Sequence, residues 1–340
     1  MSTSTPTTSL PLTPSAPNSR PKPTHLIIVC CHAIYTGPSF PSPSVSNQSH
    51  TPSPSPSHPS NWLLAPFQTG EIPTFTAHMK AGLSLLASDD TSLLVFSGSK
   101  TRPEIEKSEA RGYLDFCIRN EFWGILEAVD YNKNQQSSST PPPPPPPSSS
   151  SSTTPTTPTP AAATAANQSV EYLQDQEQLN IHLEEQALDS FSNLLFSLLL
   201  FHKRTRTWPA KISIISHAFK EPRFMNLHVP TLRFPYHRVH FVGIDPDYMD
   251  PRCVAFDEVR AESVRRGERE RGFRAWEGDR FGIGGGLSGK RRGRNFWGVG
   301  QGWFDDEEER RRSGVGSWKV DGEGNGEEAL GEGRQPWEED

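Results

Sequence analysis

Residues 184–223 set the strongest constraint on the fold. They hold a polar cluster, EEQALDSFSN, then an apolar helical run, then KISIISHAFKEPRF. Leu188, Phe191, Leu194, Leu195, Leu198 and Leu199 recur at three- and four-residue steps, which places them on one helix face. Asp189 or Ser190 can cap the start of that helix, and Trp208-Pro209 ends its propagation. Lys211 to Ile215 then reads as a short β-branched strand, too apolar to lie exposed, with Ser216 and His217 directly after it. A helix feeding a buried strand that ends in small polar residues is half of a parallel α/β unit. In such sheets ligands bind beyond the carboxyl ends of the strands.

The same sequence of events recurs along the chain. A strand over His25 to Cys31 is followed by His32 and Thr36-Gly37, and a strand over Leu93 to Phe96 is closed by Ser97-Gly98-Ser99. A strand over Val239 to Ile244 ends in Asp245-Pro246. Helices fit residues 74–87 and a segment capped by Ser108, with Ala110, Tyr113, Leu114 and Cys117 on its apolar face. The expected architecture is a Rossmann-like three-layer α/β sandwich with a mainly parallel sheet. Four polar strand ends would meet on one edge of it.

With 33 prolines in 340 residues, the whole length cannot form one compact core. Residues 1–23 are Ser, Thr and Pro and read as a disordered amino terminus. The α/β domain spans 24–304, with disordered insertions at about 38–60 and 132–168, the second holding seven consecutive prolines. Residues 252–294 carry twelve Lys or Arg against seven Asp or Glu, and a solvated helix is expected over 257–271. Gly284-Gly285-Gly286 lacks P-loop spacing and reads as a flexible lead-in that brings Lys290, Arg291 and Arg294 over the pocket. Residues 305–340 carry thirteen acids against five bases and read as a disordered acidic tail.

Several function classes are set aside on the same grounds. A net charge of −6 gives no general affinity for nucleic acid. Cys30, Cys31, Cys117 and Cys253 show no CxxC pairing, which argues against a disulfide framework and structural zinc and points to a reducing compartment, the cytoplasm. No metal site is expected. The longest apolar run, Leu194 to Phe201, is far below the ~20 residues needed to span a bilayer. There is no dinucleotide GxGxxG and no complete Ser-His-Asp arrangement.

The order of the short motifs resembles the YdcF/SanA/ElyC-like family, domain of unknown function 218, in its eukaryotic form. Its Ser-Gly-Gly followed by Ser-Glu-Ala reads here as Ser97-Gly98-Ser99, then Ser108-Glu109-Ala110. Its Glu, Asp-Thr and Asn segment reads Glu184, Asp189-Ser190 and Asn193. Its late strand with a trailing Pro-Arg reads Ser216-His217, then Pro222-Arg223-Phe224. The eukaryotic branch also resembles this chain at Trp62, Phe67-Gln68, Glu71, Phe75 and His78, and again at Asp279, Gly282, Lys290-Arg291 and Arg294-Asn295-Phe296. Lys220 stands where bacterial members carry a histidine. The resemblance implies a Rossmann-like fold with one site at the sheet edge.

The residues expected at that site are His32, Gly37, Ser97, Gly98, Glu109, Asp189, Ser190, Asn193, Ser216, Arg223 and Arg294, with Glu184 and His217 as candidate catalytic groups. Arg223 offers a bidentate fork to phosphate or carboxylate. Two functions fit. In the first, the pocket binds a small anionic or nucleotide-like ligand, a nucleotide or S-adenosylmethionine among the cofactors, and acts on it. In the second, the domain is a noncatalytic scaffold whose Pro-rich insertion recruits SH3- or WW-type partners.

Overall fold

The structure, a computed structural model, describes residues 21–38, 55–126, 179–319 and 327–338. Its centre is a five-stranded parallel sheet. The strands are β1 (His25–Cys30), β4 (Ser92–Ser97), β5 (Ile181–Glu184), β6 (Lys211–Ser216) and β7 (Val239–Gly243), in the spatial order β5-β4-β1-β6-β7. A small antiparallel ribbon, β2 (Ile34–Tyr35) with β3 (Trp62–Leu63), lies between β1 and β4 in the chain.

β1 is buried along its whole length, and its side chains divide between two cores. Ile27 and Val29 face α1 (Ile72–Ser88) and α2 (Glu109–Arg119), where they meet Phe75, Met79, Leu83 and Tyr113. Leu26, Ile28 and Cys30 face α3 (Ser190–Thr205), the helix anticipated from the leucine spacing. Each fully buried side chain of this size stabilises the fold by about 1.5–3 kcal/mol. Gly82 lets α1 sit on the sheet, because a Cβ there would lie 2.6 Å from a Val29 methyl. Asp189 caps α3 in a reciprocal pair with Ser192, and Ser108 caps α2, as the sequence indicated.

Three features differ from the sequence reading, and one expected helix runs longer. β5 was not anticipated, because four residues beginning Ile-His give little alternation to read. Order resumes before Asn61: Trp62 Nε1 donates to Pro56 O, and Asn61 Nδ2 to Ser55 O. The glycine run is no flexible lead-in, since Gly284 precedes α5 (Gly285–Arg294). The expected helix over 257–271 is α4 (Glu258–Gly267), continued through Glu268–Phe273 and Arg274–Gly278.

The tail is the largest correction. Its described residues form α6 (Glu307–Ser313) and an antiparallel pair, β8 (Ser317–Lys319) with β9 (Glu328–Leu330). Val315, Leu330 and Trp337 join the α3 core, so the domain runs past residue 304. Trp337 is only 1% exposed, and its Nε1 donates to Leu232 O at 2.7 Å. Composition hid this because the few apolar residues lie among many acids. The expected amino-terminal and 132–168 disorder falls outside the described residues.

Among the described residues, no helix is long and apolar enough to cross a membrane.

Candidate functional site

The strand order fixes where a site can form. From β1 the chain moves outward through β4 to β5, then returns to place β6 on the other side of β1. The loops after β1 and β6 therefore diverge and leave a crevice at this topological switch point. A cleft of about 510 Å³ lies there, lined from β1 by His32, from β6 by Ser216, Lys220 and Arg223, and from the first turn of α3 by Ser190 and Asn193. Glu109 of α2 and Lys290, Arg291 and Arg294 of α5 complete the wall, so the basic segment does lie over the pocket.

The cations of this wall differ in what already holds them. Arg291 is fully engaged. Its Nη1 donates to Asp189 Oδ2 at 2.7 Å, and its Nη2 donates to Glu327 Oε2 and Gly282 O. It pins the carboxyl-terminal ribbon to the start of α3. Arg294 Nη1 donates to Leu188 O at 3.1 Å. Arg223 Nε lies 3.0 Å from Glu268 Oε1, yet the two atoms are not aligned for a hydrogen bond.

Lys220 has no carboxylate within ion-pair distance among the described residues. Its Nζ lies 3.5 Å from His32 Nδ1. Burial, reinforced by Arg223, brings its pKa down to about 8. His32 is held neutral by burial and then by Lys220. The network assigns its tautomer: Nδ1 accepts from the ammonium, and Nε2, 3.4 Å from Ser216 Oγ, carries the proton.

Behind His32 lies a buried nest of histidines. The His217 ring centroid is 4.5 Å from that of His32 and 5.0 Å from that of His78. Burial lowers the pKa of both rings. His217 Nε2 lies 3.5 Å from Glu71 Oε2, and Tyr248 Oη donates to Glu71 Oε1 at 2.8 Å. His217 does not line the cleft, so it is not placed as a catalytic group.

A second polar centre occupies the ends of β4 and β5. Glu184 Oε1 accepts from the backbone N–H groups of Gln186 and Ala187, at 2.6 and 2.9 Å. Its Oε2 lies 2.5 Å from Ser97 Oγ, which is also 3.0 Å from Asn193 Oδ1. Burial pushes the Glu184 pKa up to about 7. Ser97 Oγ donates toward Glu184 Oε2 and lies within hydrogen-bond distance of Asn193 Oδ1, which ties the three side chains together. Glu184 is absent from the cleft wall and holds the β5–α3 turn instead of acting as a base there.

Ser97 and Gly98 also stand behind the wall. Gly98 N–H donates to Glu184 O, and a Cβ there would meet Glu109 Oε2 at 2.9 Å. Gly37 packs against the Tyr35 ring, away from the cleft. The remaining expected site residues, His32, Glu109, Asp189, Ser190, Asn193, Ser216, Arg223 and Arg294, all line one cavity. Asp189 does so while committed to its cap and to Arg291. Lys220 is the residue the sequence reading passed over. Its signal was there: Lys220 and Arg223, three residues apart just after a strand, share one face of a helical turn.

Fold and cleft together define an α/β protein with a cation-rich crevice at the switch point of a parallel sheet. Among curated proteins, the chain is similar to "Uncharacterized protein YOR238W" of Saccharomyces cerevisiae (strain ATCC 204508 / S288c), 31% identical over 226 residues that cover 65% of this chain and 67% of the yeast protein. The chain belongs to the family of that yeast protein. No family model matches it, and no solved structure matches it.

Proposed function

We propose that this chain is a YdcF-like α/β protein whose cleft binds a small phosphate-bearing ligand, nucleotide-like in character, and holds it for a reaction at Lys220. One observation carries the reading. Lys220 is a partly buried ammonium with no carboxylate partner among the described residues, beside Arg223 and Arg294 in the same wall. A desolvated cation without a counter-charge is costly, and an anionic ligand supplies that charge. S-adenosylmethionine, which carries a net positive charge, suits this wall less well than a phosphate ester. With its pKa near 8, Lys220 can also exchange a proton with a bound ligand at neutral pH.

The scaffold reading rests on the Pro-rich segment, which lies outside the described residues. The four free cysteines support a reducing compartment, the cytoplasm.

A thermal-shift titration with inorganic phosphate, nucleotides, sugar phosphates and S-adenosylmethionine tests the proposal. Phosphate compounds should raise the melting temperature in a concentration-dependent way, and Lys220→Met should abolish the shift. If no phosphate compound moves the melting temperature at millimolar concentration, the proposal fails.

A further inference from the structure

The cleft is larger than an inorganic anion requires, and its wall is not wholly polar. At about 510 Å³ it falls in the range of sites that enclose a whole small molecule. Two of its lining residues are large aromatics left open to solvent, Phe67 at 70% exposure and Phe296 at 54%. They come from distant parts of the chain: Phe67 from the turn Pro66–Gln68 after β3, Phe296 from the segment after α5.

In both cases the backbone is fixed while the ring is bare. Around Phe67, the Gln68 side-chain amide donates to His32 O at 2.6 Å. Arg260 Nη2 donates to both Phe67 O and Thr69 O. Around Phe296, Asn295 and Val299 exchange two hydrogen bonds, and Trp297 Nε1 donates to Arg102 O at 2.9 Å. A pre-positioned aromatic surface at a cleft mouth binds a planar group without the cost of ordering itself.

We infer that the ligand is a nucleotide, its phosphate held by Lys220, Arg223 and Arg294 and its base covered by Phe67 and Phe296. This rests on the phosphate-binding reading above and adds the residues that select the rest of the molecule. Bases of every kind present a π-face, so stacking on these rings sets the class of ligand and leaves the choice of base to other contacts.

Calorimetric titration of the full chain with AMP, GMP, CMP, UMP, ribose 5-phosphate and adenosine tests the inference. At least one nucleotide should bind about tenfold or more tighter than ribose 5-phosphate. Phe67→Ala combined with Phe296→Ala should bring that nucleotide down to the affinity of the sugar phosphate, leaving ribose 5-phosphate itself unchanged. Both rings are exposed, so the doubly substituted protein should melt within a few degrees of the original. Equal binding of all nucleotides and ribose 5-phosphate by the original chain overturns the inference, as does a preference that survives the double substitution. Failure of the underlying phosphate reading looks different: adenosine would bind as tightly as AMP, and Lys220→Met would leave every affinity unchanged.

Discussion

The carboxyl ends of β4 and β5 and those of β1 and β6 are both lined with polar residues, yet they are built on opposite terms. At β4 and β5, one carboxyl, a serine, an asparagine side chain and two backbone N–H groups hydrogen-bond one another. At β1 and β6, Lys220 faces a neutral imidazole, and Arg223 meets its acid at a poor angle. A closed network spends its hydrogen-bonding capacity on the fold. An open one keeps that capacity for something that arrives later. Arg291 shows that lining a cleft does not decide the matter, because its guanidinium is consumed by Asp189, Glu327 and a carbonyl. Partnership is the better guide to function here than position or residue type.

Breaking the closed centre should have the largest effect. Glu184→Ala strands two buried backbone donors and the Ser97 hydroxyl, and should cost about 3–5 kcal/mol of unfolding free energy in a urea titration. A loss below about 1 kcal/mol would mean that the turn is held by other contacts.

The same carboxyl should show itself in the pH dependence of stability. Its folded pKa of about 7 lies above the usual 4.5. The protonated form is therefore favoured on folding, and its stabilising contribution is complete below about 4.5 and lost as pH rises through 7. Between pH 5 and pH 8 the original chain should lose on the order of 2 kcal/mol relative to Glu184→Gln, whose amide can donate to Ser97 at every pH. Parallel stability profiles would show that Glu184 is ionised throughout.

The open centre should respond with the opposite sign. Lys220→Met should raise stability at pH 7 by about 1 kcal/mol, because it removes a desolvated charge with no counter-ion. The folded pKa of about 8 lies below the usual 10.5, so the penalty is full below pH 8 and fades toward 10.5. The gain should shrink accordingly in melts at pH 9 to 10. A destabilised Lys220→Met protein would place Lys220 in the structural class with Arg291.

Much of the fold was legible because it rests on local pattern. The helix face of Leu194, Leu195, Leu198 and Leu199, and the buried runs of β1, β4 and β6, each announce themselves within a few residues. β5 did not, since a short edge strand needs little apolar sequence of its own. The tail was missed for a related reason: three well-spaced apolar residues, Val315, Leu330 and Trp337, suffice to dock it, and charge dominates the count. Strand-end position gathered His32, Glu109, Asn193, Ser216 and Arg223, which line one cleft. Roles were not. Whether Glu184 faces a ligand or a turn depends on a few ångströms of side-chain placement that spacing along the chain does not encode.

The entry into β5 has a consequence for how such a protein can be extended. Leu179 and Asn180 lead into β5, and Asn180 O accepts from Leu94 N. Asn180 Nδ2 also donates to Ser92 O, at the first residue of β4, so the chain enters β5 at the amino edge of the sheet, opposite the strand ends that form the cleft. The join is also on an outer strand, which interrupts no neighbouring pair. A reporter domain grafted just before Leu179 would therefore leave the strand ends that form the cleft undisturbed.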